Sequence, residues 1–426
     1  MIVTLIRQLM NETTYPAGVI TPATSETTGC PAAVKQPEIV ITGQLTLLFA
    51  IAVGVIVTSL FAPQTLVGLI GPSLGLTAAA GGFVAMVTLL GYAGGLFLLV
   101  PLADLVENRR LVLYMLACAI MAAAGATLIP TAAFLLAVLF ILGAACSAIQ
   151  ILVPLAATMA PPDRLGRVIG DVMGGLMIGI LLSRPLASFI ADVSSWRAFY
   201  GLSALVMGLL TAVLSRHLPE RRPEARAGYA ALVASLWHLL RSEPVLRRRS
   251  LTASLAMAAF SLFWTAVALR LAQAPFHLGQ RGIALFALVG AGGAAATPLV
   301  GRAGDRGWTR TTTIASHLII IAAFVLAAWA VSSPPGASLL SLGLMGSSAV
   351  LLDVGVTGDQ TLGRRAINLL QPEARGRING LFVGLFFLGG AAGAALASIV
   401  WASGGWPMIC ATGAGFGIAA LVVDCL

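Results

Sequence analysis

The sequence predicts an all-α integral membrane protein with about twelve transmembrane helices in two pseudo-symmetric six-helix bundles. Three observations carry this prediction. The chain of 426 residues is 58% hydrophobic and 10% charged, with a mean hydropathy of +0.97. A water-soluble protein could not hide so much apolar surface, because its exterior must be largely polar and charged. Apolar runs long enough to cross a hydrocarbon core of about 30 Å recur from residue 44 onwards. Most Lys and Arg residues fall in five clusters on alternate gaps between those runs: Arg109/Arg110, Arg164/Arg167, Arg216 to Arg249, Arg302/Arg306/Arg310 and Arg364 to Arg377. The gaps around 69–76, Pro130, 332–336 and 404–406 carry no positive charge. This is the positive-inside pattern of a multi-pass protein with both termini in the cytoplasm.

Taken in order, residues 1–43 lack a signal-peptide pattern, because the apolar start at 1–6 is too short, and they are expected to form a mobile cytoplasmic tail. Six spans follow, at 44–68, 77–100, 111–129, 131–158, 168–190 and 198–216, making an N-terminal bundle over 44–216. Residues 217–249 form a basic cytoplasmic linker. Within it, 229–241 alternates apolar and polar residues at helical spacing and contains Trp237, which predicts an amphipathic helix on the inner membrane face. The second bundle covers 250–426, with spans at 250–272, 281–301, 311–331, 338–360, 377–401 and 405–424.

The halves echo one another. Pro101-Leu102-Ala103-Asp104 before Arg109-Arg110 matches Gly301-Arg302-Ala303-Gly304-Asp305-Arg306 at the cytoplasmic end of the second span of each half. Asp163-Arg164-Leu165-Gly166-Arg167 before the fifth span matches Glu373-Ala374-Arg375-Gly376-Arg377 before the eleventh. Two echoes at equivalent positions favour a duplicated six-helix unit.

Composition also excludes several functions. The net charge of +9 sits in loops beside the spans, so its expected partner is anionic lipid of the cytoplasmic leaflet and no nucleic acid. The five cysteines (Cys30, Cys118, Cys146, Cys410 and Cys425) have no paired spacing, and the four histidines are scattered. Neither a disulfide framework nor a metal site is implied. No HExxH, GxSxG or phosphate-binding loop occurs, so no enzyme, catalytic residue or cofactor is expected.

These residues resemble the major facilitator superfamily from about residue 42 to the end. That family's loop after its second helix reads G-x-L-A-D-R-x-G-R-K. Here Leu102, Ala103, Asp104 and the basic end at Arg109-Arg110 agree, while both glycines are missing; the second copy keeps Gly301, Asp305 and Arg306. The run from Gln371 to Asn379 is similar to that of bacterial drug:proton antiporter-like exporters. The resemblance implies a secondary active transporter of the bacterial inner membrane, working by alternating access and exporting a small organic molecule against protons. Two departures keep an alternative open. Such exporters carry an Arg in the fourth span, where this chain has none and its interior polar groups are Ser147 and Gln150. The fifth span reads Gly175 to Gly179, then Ser183-Arg184-Pro185, with no glycine pair after the proline. Uptake or uniport by the same fold is the alternative, and a membrane sensor without transport is a remote one.

Asp353 is the candidate for proton coupling, because a carboxyl deep in an apolar run can take and release a proton; a structural charge pair is the competing role. Arg184 lies about sixteen residues into the fifth span, roughly 24 Å from its cytoplasmic end. It reads as a cavity or gating residue in preference to an interfacial anchor, since intramembrane Arg usually faces an interior. Counting depths puts Arg184 and Asp353 roughly 16 Å apart along the membrane normal, too far for a direct ion pair. Gln64, Gln150 and Trp264 are expected to shape the cavity with Arg184, and Asp359 to sit at the interface near Arg364 and Arg365. The resemblance further implies that Asp104, Arg109, Arg110, Asp305 and Arg306 tie helix ends together in a state-dependent way. The glycines of the fifth, eighth and eleventh spans are expected at the contact between the halves.

Overall fold

The computed structural model describes residues 41–426 except 78, 162–163, 222, 224–227, 291, 294–296, 332–337 and 372–373. The N-terminal stretch 1–40, Asp163, Glu373 and the uncharged gap at 332–336 lie outside the described residues. Ile41 and Thr42 belong to the packed structure: Ile41 N donates to Met159 O at 3.0 Å, and the Thr42 hydroxyl accepts from Leu45 N at 3.3 Å to cap the first helix.

A lipid core offers no partner to a free backbone N–H or C=O, so each apolar run closes its own hydrogen bonds as a helix. The N-terminal half is α1 (Gly43–Ser73), α2 (Phe83–Leu98) extended by a 3-10 turn (Val100–Asp104), α3 (Asn108–Leu128), α4 (Ala132–Cys146) continued by α5 (Ile149–Thr158), α6 (Leu165–Val193) and α7 (Trp196–His217). The linker carries α8 (Tyr229–Ser242), one residue longer than the sequence predicts. The second half is α9 (Pro244–Leu271), α10 (Gln280–Gly290), α11 (Thr297–Asp305), α12 (Thr309–Val331), α13 (Ser338–Asn368) and α14 (Arg375–Cys425). Among the described residues ten helices, counting α2 with its 3-10 turn and α4 with α5 as one each, are long and apolar enough to cross a membrane. α14 holds two passes, because Gly405 takes φ 62°, a conformation glycine adopts without a Cβ clash, and the chain reverses there. The eighth pass is the shorter pair α10 and α11.

The duplication is visible in the packing. On α6, a Cβ at Gly175 or Gly179 would overlap the carbonyl of Ala50 or Gly54 on α1. On α14, a Cβ at Gly389 or Gly393 would overlap the carbonyl of Ser254 or Ala258 on α9. Both pairs step by four residues on each helix, one turn apart, so the first and fifth spans of each half meet through the same backbone-to-backbone seam. The expectation that these glycines lie between the halves is therefore corrected: they bind helices within a half. The halves themselves meet where α2 packs on α14, α6 on α10 and α1 on α9.

Buried charge fixes the ends. Arg249 at the start of α9 and Asp424 at the end of α14 pair at 2.8 Å, with side chains 7% and 2% exposed. Removing one partner of such a pair leaves the other charge buried, at a cost of about 3–5 kcal/mol.

The close seams predict that Gly179→Val and Gly393→Val each lower the thermal midpoint of the purified protein, by overpacking worth about 1–3 kcal/mol. Gly174→Ala, where nothing lies within 4 Å, should leave it unchanged. Equal midpoints for all three variants would mean that the seams are not tightly packed.

Candidate functional site

The polar groups of the interior form two clusters at different depths. The first lies in the contact between the halves, towards the face opposite the basic loops. Gln64 on α1 and Arg184 on α6 come from the N-terminal half; Trp264 on α9 and Asp353 on α13 come from the C-terminal half. Arg184 Nε donates to Gln64 Oε1 at 3.1 Å, and Gln64 Nε2 reaches Ser261 Oγ of α9 at 3.5 Å. The guanidinium lies 4.4 Å from the Trp264 ring centroid, 4.9 Å from that of Phe260 and 5.4 Å from that of Phe61. Trp264 Nε1 in turn donates to Asp353 Oδ1 at 3.1 Å. Gln64 is 0%, Trp264 1% and Arg184 4% exposed, so water reaches the guanidinium from neither side. Glycines on the eighth pass make room for this arrangement: a Cβ at Gly290 would strike Trp264, and one at Gly293 would strike Asp353.

As the depth count expects, no ion pair joins Arg184 and Asp353 among the described residues; the Trp264 indole stands between their side chains. Long side chains bring the two groups to the same ring, since Arg184 reaches the face of the indole whose Nε1 donates to Asp353. Burial also removes the anchor reading of Arg184, which an interfacial side chain would satisfy in water.

The second cluster lines a cavity of about 820 Å³ between the halves at the basic face. Gln150 on α5 lines it, with Nε2 donating to the Tyr92 hydroxyl at 3.1 Å. Asp104, Asn108, Arg221, Arg364, Arg375 and Arg377 line it too. Of the four residues expected to shape a cavity, only Gln150 faces this one; Gln64, Arg184 and Trp264 are sealed together beyond it.

Arg364 escaped the sequence reading because the tenth span was expected to stop at residue 360. α13 runs to Asn368, since a helix wall bordering a polar cavity has no reason to end at the lipid boundary. The signal was present: Asp353, Thr357, Gln360, Arg364 and Asn368 recur at spacings of four and three, one polar stripe on one helix face. Asp359, expected at the interface, is 1% exposed and pairs with His317 Nε2 of α12 at 3.0 Å. Its direction around the helix, off the stripe, turns it into the neighbouring span and away from Arg364 and Arg365.

The expected clamp residues occupy the basic face. Asp104 lies within electrostatic reach of Arg377 and Arg221 without forming an ion pair among the described residues. Arg109 pairs with Glu220 at 3.2 Å and donates to Ser215 O, and Arg110 pairs with Glu107 at 3.0 Å. Asp305 pairs with Arg365 of α13, while Arg306 stacks 5.9 Å from Trp308. On the opposite face, Arg281 of α10 and Asp192 of α6 pair at 2.6 Å across the halves. The molecule is therefore open at the basic face and closed at the other. Among the described residues no group of His, Cys, Asp and Glu is placed to hold a metal ion.

Comparison with known proteins agrees with this architecture. The family model of the Major Facilitator Superfamily matches residues 47–362. The uncharacterized transporter YgaY of Escherichia coli is 35% identical over 393 residues, covering 91% of this chain and 96% of its own. Among solved structures, a D-xylose-proton symporter superposes with a TM-score of 0.70 at 14% identity, covering 89% of this chain and 96% of that one. The nucleoside transporter NupG gives 0.69 at 14% identity, covering 89% and 99%. At that identity the two structures share the fold alone, whereas the family model and YgaY share sequence along most of the length. The chain belongs to the major facilitator superfamily of secondary transporters.

Proposed function

We propose that the protein exports a small organic molecule from the cytoplasm in exchange for protons, with Asp353 as the proton carrier. The observation that supports this reading is the tie from Asp353 through Trp264 to Arg184 across the two halves. An ionised Asp353 attracts the guanidinium beyond the indole, and protonation removes that attraction, leaving Arg184 with Gln64 and three rings. The strength of the contact between the halves therefore depends on the proton, which couples its binding to the rocking motion.

The basic face, where the cavity opens, is taken as cytoplasmic by the positive-inside pattern, and on this reading the chain lies in a bacterial inner membrane with its C-terminus inside. α8 suits the anionic lipid of that leaflet: Trp237 is 58% exposed with Arg241 stacked on it at 4.8 Å. Asp104 and Arg377 serve as the clamp that engages when this face closes. Uptake or uniport is the second reading, favoured by a fourth span whose only polar cavity group is the neutral Gln150, engaged with Tyr92.

In everted vesicles challenged with metabolites and antimicrobials, a substrate should release lumenal protons with the wild-type protein and not with Asp353→Asn. Coupling retained in that folded variant would remove Asp353 from the mechanism, and proton-independent transport would favour uniport. Arg184→Ala should reduce transport at least tenfold, with Arg184→Lys less damaging because it keeps the charge while losing the planar stack and the Gln64 bond. Equally mild effects would detach Arg184 from the gate. Asp104→Asn should slow cycling severalfold with little change in substrate affinity; an unaltered rate would leave it a topology residue.

A further inference from the structure

Resting on the reading of the basic-face cavity as the substrate path, we infer that its substrate is an organic anion, an apolar body carrying one acidic group, and that Arg364 is the residue that binds the acid. The lining carries four arginines (Arg221, Arg364, Arg375 and Arg377) against one carboxylate, Asp104. Three of these arginines have an explanation without a ligand. Arg221 and Arg377 lie within reach of Asp104, and Arg377 also donates to Ser235 Oγ at 3.0 Å. Arg375 Nε donates to Asn368 O at 3.2 Å. They stand in the linker and at the first turn of α14, where basic residues set topology.

Arg364 is different. It projects from within α13, three turns from Asp353 on the same helix face, and has no hydrogen-bond or ion-pair partner among the described residues. Its Nε is buried and unsatisfied. Part of the guanidinium faces the cavity with no counter-charge beside it among the described residues, and a cation held so in a cleft with apolar walls draws an anion to it. Its flat fork of donors suits a carboxylate or phosphate oxygen pair. Gln150, from the other half, lines the same cavity and holds the Tyr92 hydroxyl, while Tyr92 lies within electrostatic reach of Arg364. An acid held by Arg364 would thus meet polar donors from both halves. Apart from Asn108, Asn368 and Asn379 the rest of the lining, including Leu96, Ile149 and Val153, is apolar and would take the body of the molecule. About 820 Å³ is room for a drug-sized ligand.

The test needs no knowledge of the natural substrate. In the full chain with its own cysteines replaced by alanine, Val153→Cys puts a thiol in the cavity, one helical turn from Gln150. The probes are a sulfonate-bearing and a trimethylammonium-bearing methanethiosulfonate, each rate normalised to a free thiol in solution. The anionic reagent should react faster, on the order of tenfold at low salt, as expected of a cleft lined with one sign of charge. Arg364→Gln should remove most of that preference and Arg364→Lys should keep it, while Arg375→Gln changes it little. No preference for the anion, a preference that survives Arg364→Gln, or a thiol that neither reagent reaches would each overturn the inference. Asp353→Asn should leave the preference intact, so a failure of proton coupling and a failure of the anion site remain separate results.

Discussion

Keeping a guanidinium ionised in a contact that excludes water is the constraint around which this molecule is arranged. Arg184 sits where the two halves meet, and three neighbouring helices serve it. α1 brings Gln64 to its Nε, while α1 and α9 supply three ring faces. α13 places a carboxylate behind the nearest ring. Ring faces and a screened carboxylate stabilise a cation less than a direct ion pair does. Such a contact is firm enough to close one face of the molecule and weaker than a salt bridge between the halves. A direct buried pair would have been a lock.

The two interior clusters divide the work by depth. The sealed cluster belongs to the closed face and holds the halves together, and the arginine-lined cavity belongs to the open one. α13 joins them, since its polar stripe carries Asp353 at one end and Arg364 at the other. A helix with charged ends in two compartments can transmit the state of one to the other by moving as a rigid rod. The backbone seams at Gly175/Gly179 and Gly389/Gly393 keep each half stiff enough for that motion to be one of whole bundles.

Asp359 and His317 illustrate a different economy. Both are buried in the second half, and they meet each other at 3.0 Å while His317 Nδ1 and Asp359 Oδ2 find no partner among the described residues. Between adjacent spans such a pair orients the two helices, because in lipid no other partner competes for either group. It ties α12 to α13 and so steadies the helix that carries the stripe.

The sequence by itself determined the class of fold, the number of passes and the division into halves, because each is written in one dimension. A span needs a run of apolar residues, a loop needs turn formers, and the sidedness of loops follows their charge. The amphipathic linker helix was legible for the same reason, and so were the signature residues that place the chain among transporters and not enzymes. Which interior groups meet was decided only by the tertiary structure. Arg184 and Asp353 stand on either side of one indole because helices of the two halves pack there, which a residue count along a single span does not express. Arg364 left the loop for the cavity because a helix facing polar space continues past the lipid boundary. The glycines turned inward within each half because shape complementarity, which no single run of sequence expresses, chose their partners.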